Sequence, residues 1–232
     1  EPMSGSRQFP THGAIPEKKL INLSNVVGTQ IPQAVGAALS AKIKGTDDIV
    51  IVYFGDGASS AGDCHEGMNF ASIHKLPIIF FCENNGFAIS VPLNQQMAND
   101  NIASRAQGYG FPGITIDGND VNLVYETTKL AAIRARNGEG PTLIETKTNR
   151  FLPHTSDDDH SRYRNLDELS NKEDPLEIYK RFLIDNKLLT NDMDETLISQ
   201  INQEVDSATE YVESLPYPNI DTFYSHIYKT DE

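Results

Sequence analysis

The sequence predicts an α/β fold in which a doubly wound, mostly parallel sheet is followed by a helical C-terminal extension. Short apolar runs alternate with longer segments whose apolar residues recur every three or four positions, as strands alternate with helices. The apolar runs are continuous, which is typical of strands covered on both faces. At 232 residues the chain is long enough for one such domain and an appendage.

The first half of the chain contains two predicted strands. Residues 1–19 are rich in proline, glycine and charge and predict an irregular lead-in. The next segment predicts a helix, because its apolar residues recur on one helical face: Ile31, Ala34, Val35, Ala38 and Leu39. The runs IVIVYF (49–54) and PIIFFC (77–82) predict strands, separated by a helical stretch that ends near His74.

The alternation continues in the second half. GITI (113–116) predicts a strand, and VNLVYETTKLAAIRARNG predicts a helix that stops at Gly138. PTLIETKT (141–148) predicts the last strand, so that the elements read βαβαβαβ. From Pro153 a polar loop follows, and residues 175–213 have the periodicity of two amphipathic helices.

Charge separates a nearly neutral domain from an acidic extension. We place an α/β domain at residues 1–165 and an acidic helical extension at residues 166–232. Of the net charge of -14, residues 1–150 contribute little, with 14 acidic and 12 basic residues, whereas residues 151–232 hold 19 acidic and 7 basic residues. An acidic surface repels phosphate backbones, so nucleic acid is an unexpected partner.

The sequence also predicts a soluble protein of a reducing compartment. Cys64 and Cys82 form no CxxC pair and suggest no disulfide framework. No apolar stretch approaches the length of a membrane span, and the N-terminus EPMSGSRQFP lacks the features of a signal peptide. We therefore expect no association with a membrane.

Polar residues follow the predicted strands at the points where open α/β sheets bind ligands. Asp56 lies between two glycines after the first strand, the Asn84–Asn85 pair follows the second, and His154 follows the fourth. The 26 residues between Gly-Asp-Gly and Asn-Asn are enough for one crossover helix and a returning strand. Asp56 and the Asn84–Asn85 pair are therefore expected to lie at the ends of neighbouring strands.

These residue types suit Mg²⁺ and a diphosphate. A carboxylate, a carboxamide oxygen and one backbone carbonyl make half an octahedron, which leaves positions for water and phosphate oxygens. Gly57 lets the backbone approach a phosphate, and the N-terminus of a following helix favours its negative charge. Either motif alone is more often an ordinary turn. The two together, one crossover apart, predict a site.

The pattern GDG-x26-NN resembles the motif by which thiamine-diphosphate enzymes hold Mg²⁺ and the diphosphate of the cofactor. Over residues 5–185, six segments in order resemble the α subunit of the decarboxylase component of 2-oxo acid dehydrogenases: GTQIPQAVGAALSAK, YFGDGASSAGDCHEGMNFAS, PIIFFCENNGFAIS, ASRAQGYGFPG, DGNDV and PHTSDDDHSRYR. The branched-chain enzyme is the closest resemblance. A pyruvate or acetoin enzyme stays open as the alternative, because Glu83 is a glutamate in many pyruvate enzymes.

The resemblance implies a set of site residues. Asp56, Asn85 and the backbone oxygen of Phe87 would bind Mg²⁺. The cofactor would be contacted by Val27, Gly57, Ala58, Ala88, Ile89 and His154, with Val27 beneath it as the apolar residue that forces its bent conformation. Asn25, Thr29 and Gln30 match a segment that holds a structural potassium ion in some relatives.

His154 is the implied catalytic residue, and it lies in a loop that the resemblance places at the mouth of the site. By itself, a histidine in a polar loop would be taken as solvated, and the loop as a disordered acidic run. The loop residues that carry the resemblance are Arg150, Thr155, Ser156, Asp158, Asp159, Tyr163 and Arg164. We expect this loop to be ordered when the site is complete.

The resemblance further implies oxidative decarboxylation of a small 2-oxo acid of the 3-methyl-2-oxobutanoate type, with acyl transfer to a lipoyl domain of the acyltransferase component. The partner would be a β subunit in an α₂β₂ heterotetramer, which supplies the glutamate that activates the cofactor. The small residues of QIPQAVGAALSAKI are expected to form a contact between subunits.

Two further expectations concern the extent of the chain and its location. Family α subunits have a long segment before the point where this chain begins, so we expect a fragment. A truncated, non-catalytic assembly module is therefore the alternative from another class. Bacterial cytoplasm is the expected location, or the mitochondrial matrix in a eukaryote.

Overall fold

A computed structural model of the chain describes residues 12–22 and 25–225. The chain divides into two compact units, of which one, Val26–Phe182, contains the sheet, and the other consists of Glu1–Asn25 and Leu183–Glu232. The predicted domain boundary at residue 165 stays a prediction.

The main sheet is parallel and has four strands. In the described part of the chain the strands are β1 (Val50–Gly55), β2 (Ile78–Asn84), β3 (Phe87–Ala88), β4 (Val91–Pro92), β5 (Gly113–Asp117) and β6 (Thr142–Lys147). The sheet has the order β1-β2-β6-β5, and β3 and β4 form a separate antiparallel hairpin. The last strand in sequence is thus inserted beside β2, which leaves β5 at an edge.

Helices cover both faces of the sheet, as the continuous apolar runs predict. Helices α1 (Gln30–Lys44) and α2 (Gly62–Ile73) pack on one face, in a core that includes Val52, Phe54 and Phe80. Helix α5 (Val121–Arg136) packs on the other face. The second core is smaller and is built from Ile79, Phe81, Ala131 and Ile144. The doubly wound α/β fold is confirmed.

Helix α1 packs closely against α2 of the same chain. Ile31 and Val35 are buried, and a Cβ atom on Gly67 of α2 would lie 2.8 Å from Ile31 Cγ2. The glycine therefore allows close contact between the two helices. The buried face of α1 packs against α2 and β1 of the same chain. The predicted contact of its small residues with another subunit stays a prediction.

The connection from β2 to β5 differs from the predicted crossover helix. It contains the β3–β4 hairpin and two short helices, α3 (Leu93–Gln96) and α4 (Arg105–Tyr109). Gly86 has a φ of 84°, a conformation that turns the chain back immediately after β2. Pro92 directly precedes α3 as its N-cap residue, and the fixed φ of proline suits the start of a helix.

The two amphipathic helices expected in residues 175–213 are confirmed. Short helix α6 (Leu166–Ser170) precedes them, and they are α7 (Pro175–Asp185) and α8 (Asn191–Ser214). Thr190 caps α8 by accepting a hydrogen bond from the Met193 amide at 3.2 Å. Within the ranges that the structure describes, no helix is long and apolar enough to cross a bilayer.

Both cysteines are free and buried in the core beneath α1 and α2. Burial raises the pKa of the Cys64 thiol to about 12, so this thiol is protonated and unreactive at neutral pH. The expectation that Cys82 is a buried thiol is confirmed.

Candidate functional site

Asp56 and Asn84 follow one another on adjacent strands at the carboxyl edge of the sheet, as the sequence predicts. Gly55, the last residue of β1, pairs with Glu83 of β2, so that Asp56 and Asn84 come next on adjacent strands. Asn84 is still part of β2 and pairs with Lys147 of β6. The carboxyl ends of three parallel strands therefore bring Asp56 and the asparagine pair together.

Asp56 is a buried carboxylate that has a single neutral donor among the described residues. It is 1% exposed, and its Oδ2 accepts a hydrogen bond from Gln96 Nε2 at 2.7 Å. Within residues 12–22 and 25–225 it forms no ion pair with a lysine, arginine or histidine. A buried carboxylate is ordinarily compensated by a cation or by several donors. Asp56 therefore has the environment of a cation ligand.

The β3–β4 hairpin presents two more oxygens. Asn85 Oδ1 accepts a hydrogen bond from the Phe87 amide at 3.1 Å, which uses one of its two lone pairs. The Leu93 amide donates to the Gly86 carbonyl, so the next pair, Phe87 with Pro92, is the pair without ladder hydrogen bonds. The Phe87 carbonyl is thus directed away from β4. Both oxygens fit the metal site that the sequence predicts.

The turn after Asp56 touches this hairpin. A Cβ atom on Gly57 would lie 2.7 Å from the Cβ atom of Ala88. Gly57 is therefore required by the close approach of the hairpin, in addition to any approach of a phosphate. Ala58 is buried in the core and is 5% exposed, and its predicted contact with the cofactor stays a prediction.

The predicted helix N-terminus after Asp56 is a 3₁₀ turn. Gly57–Ser60 form this turn, and α2 begins two residues later, at Gly62. Arg105 of α4 holds the turn by donating hydrogen bonds to the Ser59 carbonyl at 2.5 Å and to Ser59 Oγ at 2.9 Å. The sequence prediction missed Arg105, because nothing in its spacing connects α4 with this turn.

Two apolar residues assigned to the cofactor are exposed. Val27 is 68% exposed in the turn before α1, and Ile89 is 53% exposed at the tip of the hairpin. Ile89 has a φ of 55°, which is unusual for a β-branched residue. Backbone strain of this kind concentrates at ligand sites. Both side chains are therefore available to a ligand.

A buried glutamate supports the asparagine pair. Glu145 of β6 is 0% exposed, and its Oε1 accepts hydrogen bonds from Asn84 Nδ2 at 2.6 Å and Lys147 Nζ at 2.8 Å. Its Oε2 accepts from the Ala103 amide at 2.9 Å and from Thr115 Oγ1 at 3.1 Å. Burial alone would raise the pKa of Glu145, but the hydrogen bonds from Lys147, Ala103 and Asn84 together lower it.

Glu145 was also missed from the sequence, although a signal was present. An ionisable residue in the middle of the apolar run PTLIETKT is rarely buried without a partner. Its position in that strand therefore indicated a polar network at this end of the sheet.

The loop that carries His154 contacts the hairpin. Arg150 Nη2 donates hydrogen bonds to the Ile89 carbonyl at 2.8 Å and to the Tyr163 hydroxyl at 3.0 Å. The Arg164 guanidinium lies 4.9 Å from the ring centroid of Phe87. The loop is thereby attached to the element that presents the Phe87 carbonyl.

Asp158 organises the loop around His154. Its Oδ2 accepts hydrogen bonds from the Tyr163 hydroxyl at 2.5 Å and from the His154 amide at 2.8 Å. These two hydrogen bonds lower the pKa of Asp158. The His154 side chain is exposed, as are Thr155, Ser156 and Asp159. The structure thus brings the loop residues together, and the catalytic role of His154 stays a prediction.

The segment predicted to hold potassium is engaged in hydrogen bonds of its own. Thr29 Oγ1 donates to the Val26 carbonyl at 2.9 Å, and Gln30 Oε1 accepts from the Gly28 amide at 3.1 Å. Asn25 is exposed. The potassium site stays a prediction.

The candidate metal ligands at the sheet edge differ in type from a cluster of acidic, histidine or cysteine side chains. In the described ranges there is no group of three or more His, Cys, Asp or Glu side chains that could hold a metal ion. The predicted ligands Asp56, Asn85 and the Phe87 carbonyl would form a different type of site, with one negative charge and two neutral ligands. Such a set leaves several positions to water and phosphate oxygens, which is how Mg²⁺ is usually bound.

Comparison with known proteins decides the family. The family model described as "Dehydrogenase E1 component" matches residues 1–221. The chain belongs to the dehydrogenase E1 component family. This E1 chain is 46% identical over 230 residues to the 2-oxoisovalerate dehydrogenase subunit alpha of Bacillus subtilis, in a match that covers 98% of the chain and 70% of that relative.

Two other E1 relatives extend the comparison. The human mitochondrial 2-oxoisovalerate dehydrogenase subunit alpha is 42% identical over 96% of the chain, and the match covers 51% of that protein. The 3-methyl-2-oxobutanoate dehydrogenase subunit alpha of Mycobacterium tuberculosis is 38% identical over 97% of the chain, with 60% of that protein covered. This E1 chain therefore spans between about half and 70% of the length of these relatives.

Proposed function

We propose that this chain is the part of a branched-chain 2-oxo acid dehydrogenase α subunit that binds the diphosphate and the Mg²⁺ of thiamine diphosphate. The whole protein would oxidatively decarboxylate a 2-oxo acid of the 3-methyl-2-oxobutanoate type and transfer the acyl group to a lipoyl domain. The relatives named above are 2-oxoisovalerate and 3-methyl-2-oxobutanoate dehydrogenase alpha subunits, which supports the branched-chain substrate.

The observation that carries the proposal is the buried carboxylate of Asp56. It has one neutral donor and no ion pair in the described residues, and Asn85 and the hairpin lie beside it. A divalent cation would compensate its charge. The family implies thiamine diphosphate, whose diphosphate oxygens would complete the coordination of that cation.

The residues of this chain would bind and orient the cofactor. Thiamine diphosphate supplies the carbon nucleophile and the electron sink for decarboxylation. Asp56, Asn85 and the Phe87 carbonyl would hold the metal, and the exposed apolar side chains of Val27 and Ile89 would exclude water from the cofactor. His154 would hold or move a proton at the entrance, on the loop attached to the hairpin.

The proposal includes a partner. A β subunit in an α₂β₂ assembly would close the site from the other side and keep water out. Relatives of this family occur in bacteria and, by name, in mitochondria, which is compatible with the predicted bacterial cytoplasm or mitochondrial matrix.

The full-length α subunit, produced together with its β subunit, tests the function. We expect release of CO₂ from 3-methyl-2-oxobutanoate only with both thiamine diphosphate and Mg²⁺, and at a higher kcat/KM than from pyruvate. A preference for pyruvate would contradict the branched-chain assignment. Absence of decarboxylation from an assembled, folded complex would instead favour a non-catalytic assembly module.

A further inference from the structure

Gln96 connects the buried carboxylate with the hairpin. Its Nε2 donates hydrogen bonds to Asp56 Oδ2 at 2.7 Å and to the Val91 carbonyl at 2.8 Å. Gln96 is the last residue of α3, which follows the hairpin directly. One amide group thus joins the strand end that carries Asp56 to the element that carries the Phe87 carbonyl.

The orientation of the Gln96 amide follows from its neighbours. A carboxylate and a backbone carbonyl are both acceptors, so only the NH₂ side of the amide satisfies them. The reverse orientation would place the amide oxygen against two other oxygens. Nε2 therefore faces Asp56, and Oε1 is the other polar atom of the same amide group.

The other end of the amide lacks a partner. Gln96 Oε1 is buried, and no hydrogen bond to it is formed by the described residues. A buried acceptor without a donor is destabilising, because it has lost its hydrogen bonds to water. A water molecule on a bound cation is a strong donor, and it would satisfy this oxygen.

We propose that Gln96 is a positioning residue of the Mg²⁺ site, an inference that rests on the proposed function. Its Nε2 holds Asp56 Oδ2 and thereby orients the second oxygen, Oδ1, for the cation. Its Oε1 accepts a hydrogen bond from a water bound to the cation. Groups that orient metal ligands typically change metal affinity 10- to 100-fold when they are removed.

Binding of Mn²⁺ to the assembled full-length enzyme with thiamine diphosphate tests the proposal. Free Mn²⁺ is measured by electron paramagnetic resonance in the wild type, Gln96→Ala, Gln96→Met and the control Gln95→Ala. Methionine keeps the volume of glutamine but neither donates nor accepts these hydrogen bonds. We expect Mn²⁺ affinity to fall about 10- to 100-fold in both Gln96 variants, and to stay unchanged in Gln95→Ala.

A spectroscopic measurement separates positioning from packing. In Gln96→Met the Asp56 carboxylate is free to bind through both oxygens, which displaces a water. Broadening of the Mn²⁺ signal in ¹⁷O-labelled water should then report fewer bound waters than in the wild type. Wild-type affinity and water number in Gln96→Met would overturn the proposal, even if Gln96→Ala fails to fold. Failure of the wild type itself to bind Mn²⁺ would contradict the proposed function instead.

Discussion

Replacing Asp56 with alanine is expected to abolish the Mg²⁺-dependent binding of thiamine diphosphate by the assembled enzyme, with a loss of more than about 100-fold in affinity. The carboxylate is the only charged group among the three proposed ligands. The two remaining oxygens are neutral and hold Mg²⁺ weakly. Isothermal titration calorimetry with and without Mg²⁺ measures the effect directly.

The same substitution should leave the fold intact. Without a cation, the buried carboxylate has only Gln96 Nε2 as a donor within the described part of the chain, so its removal relieves a desolvation cost. The free energy of unfolding of the metal-free protein is therefore expected to stay constant or to rise. Glu126→Ala, which removes an exposed carboxylate from α5, is the matched control for charge. Normal cofactor affinity in Asp56→Ala would contradict the metal assignment.

Replacing Glu145 with alanine should have the largest effect on stability. The change leaves the buried side-chain amide of Asn84 and the backbone amide of Ala103 without their acceptor. Removing one partner from such a network costs about 3 to 5 kcal/mol. Because Asn84 precedes the proposed ligand Asn85, cofactor affinity should fall as well. Urea unfolding measures the first effect, and calorimetry the second.

The pH dependence of stability provides a second test of Glu145. The pKa of Glu145 is lower in the folded protein than the ordinary value of 4.5. The stability that the ionised carboxylate contributes is therefore fully present above that pH, and it is lost as the pH falls through the folded pKa. As the pH falls below about 4.5, the free energy of unfolding should therefore decrease less in Glu145→Gln than in the wild type.

An exposed ion pair serves as the control. Glu139 contacts Arg134 at 2.8 Å, with its side chain 48% exposed. Glu139→Gln should change the free energy of unfolding by less than about 1 kcal/mol. Equal effects of the Glu139 and Glu145 substitutions would show that the buried network contributes little.

The sheet was predictable because strands that are buried on both faces have a recognisable sequence pattern. Continuous apolar runs such as IIFFC occur where both faces are covered, and the structure has helices on both sides of β2. The neighbouring positions of Asp56 and Asn84 followed from the length of one crossover. Local pattern thus predicted the fold class and the adjacent positions of Asp56 and Asn84, and the site itself stays a proposal.

The connection after β2 was not predictable in the same way. The prediction placed a simple crossover there, whereas the chain forms a hairpin and two short helices. Such short elements have no periodicity to detect. Gln96 and Arg105 reach the site from these elements, so their roles appear only when the chain is folded.

The face of α1 shows a different limit of sequence patterns. Small residues indicate close helix contact, but they do not identify the partner helix. The contact is made by α2 of the same chain, because Gly67 lies opposite Ile31. The pattern therefore predicted close helix packing, and the helix that α1 packs against was identified only in the folded chain.

The position of the bound metal distinguishes the proposed site from any other. Crystals of the assembled enzyme with thiamine diphosphate and Mn²⁺ would give an anomalous-scattering peak at the metal. We predict one peak within coordination distance of Asp56 Oδ1, Asn85 Oδ1 and the Phe87 carbonyl oxygen, with diphosphate oxygens on its other side. A peak bound by other residues, or a diphosphate held without a metal at Asp56, would contradict the account.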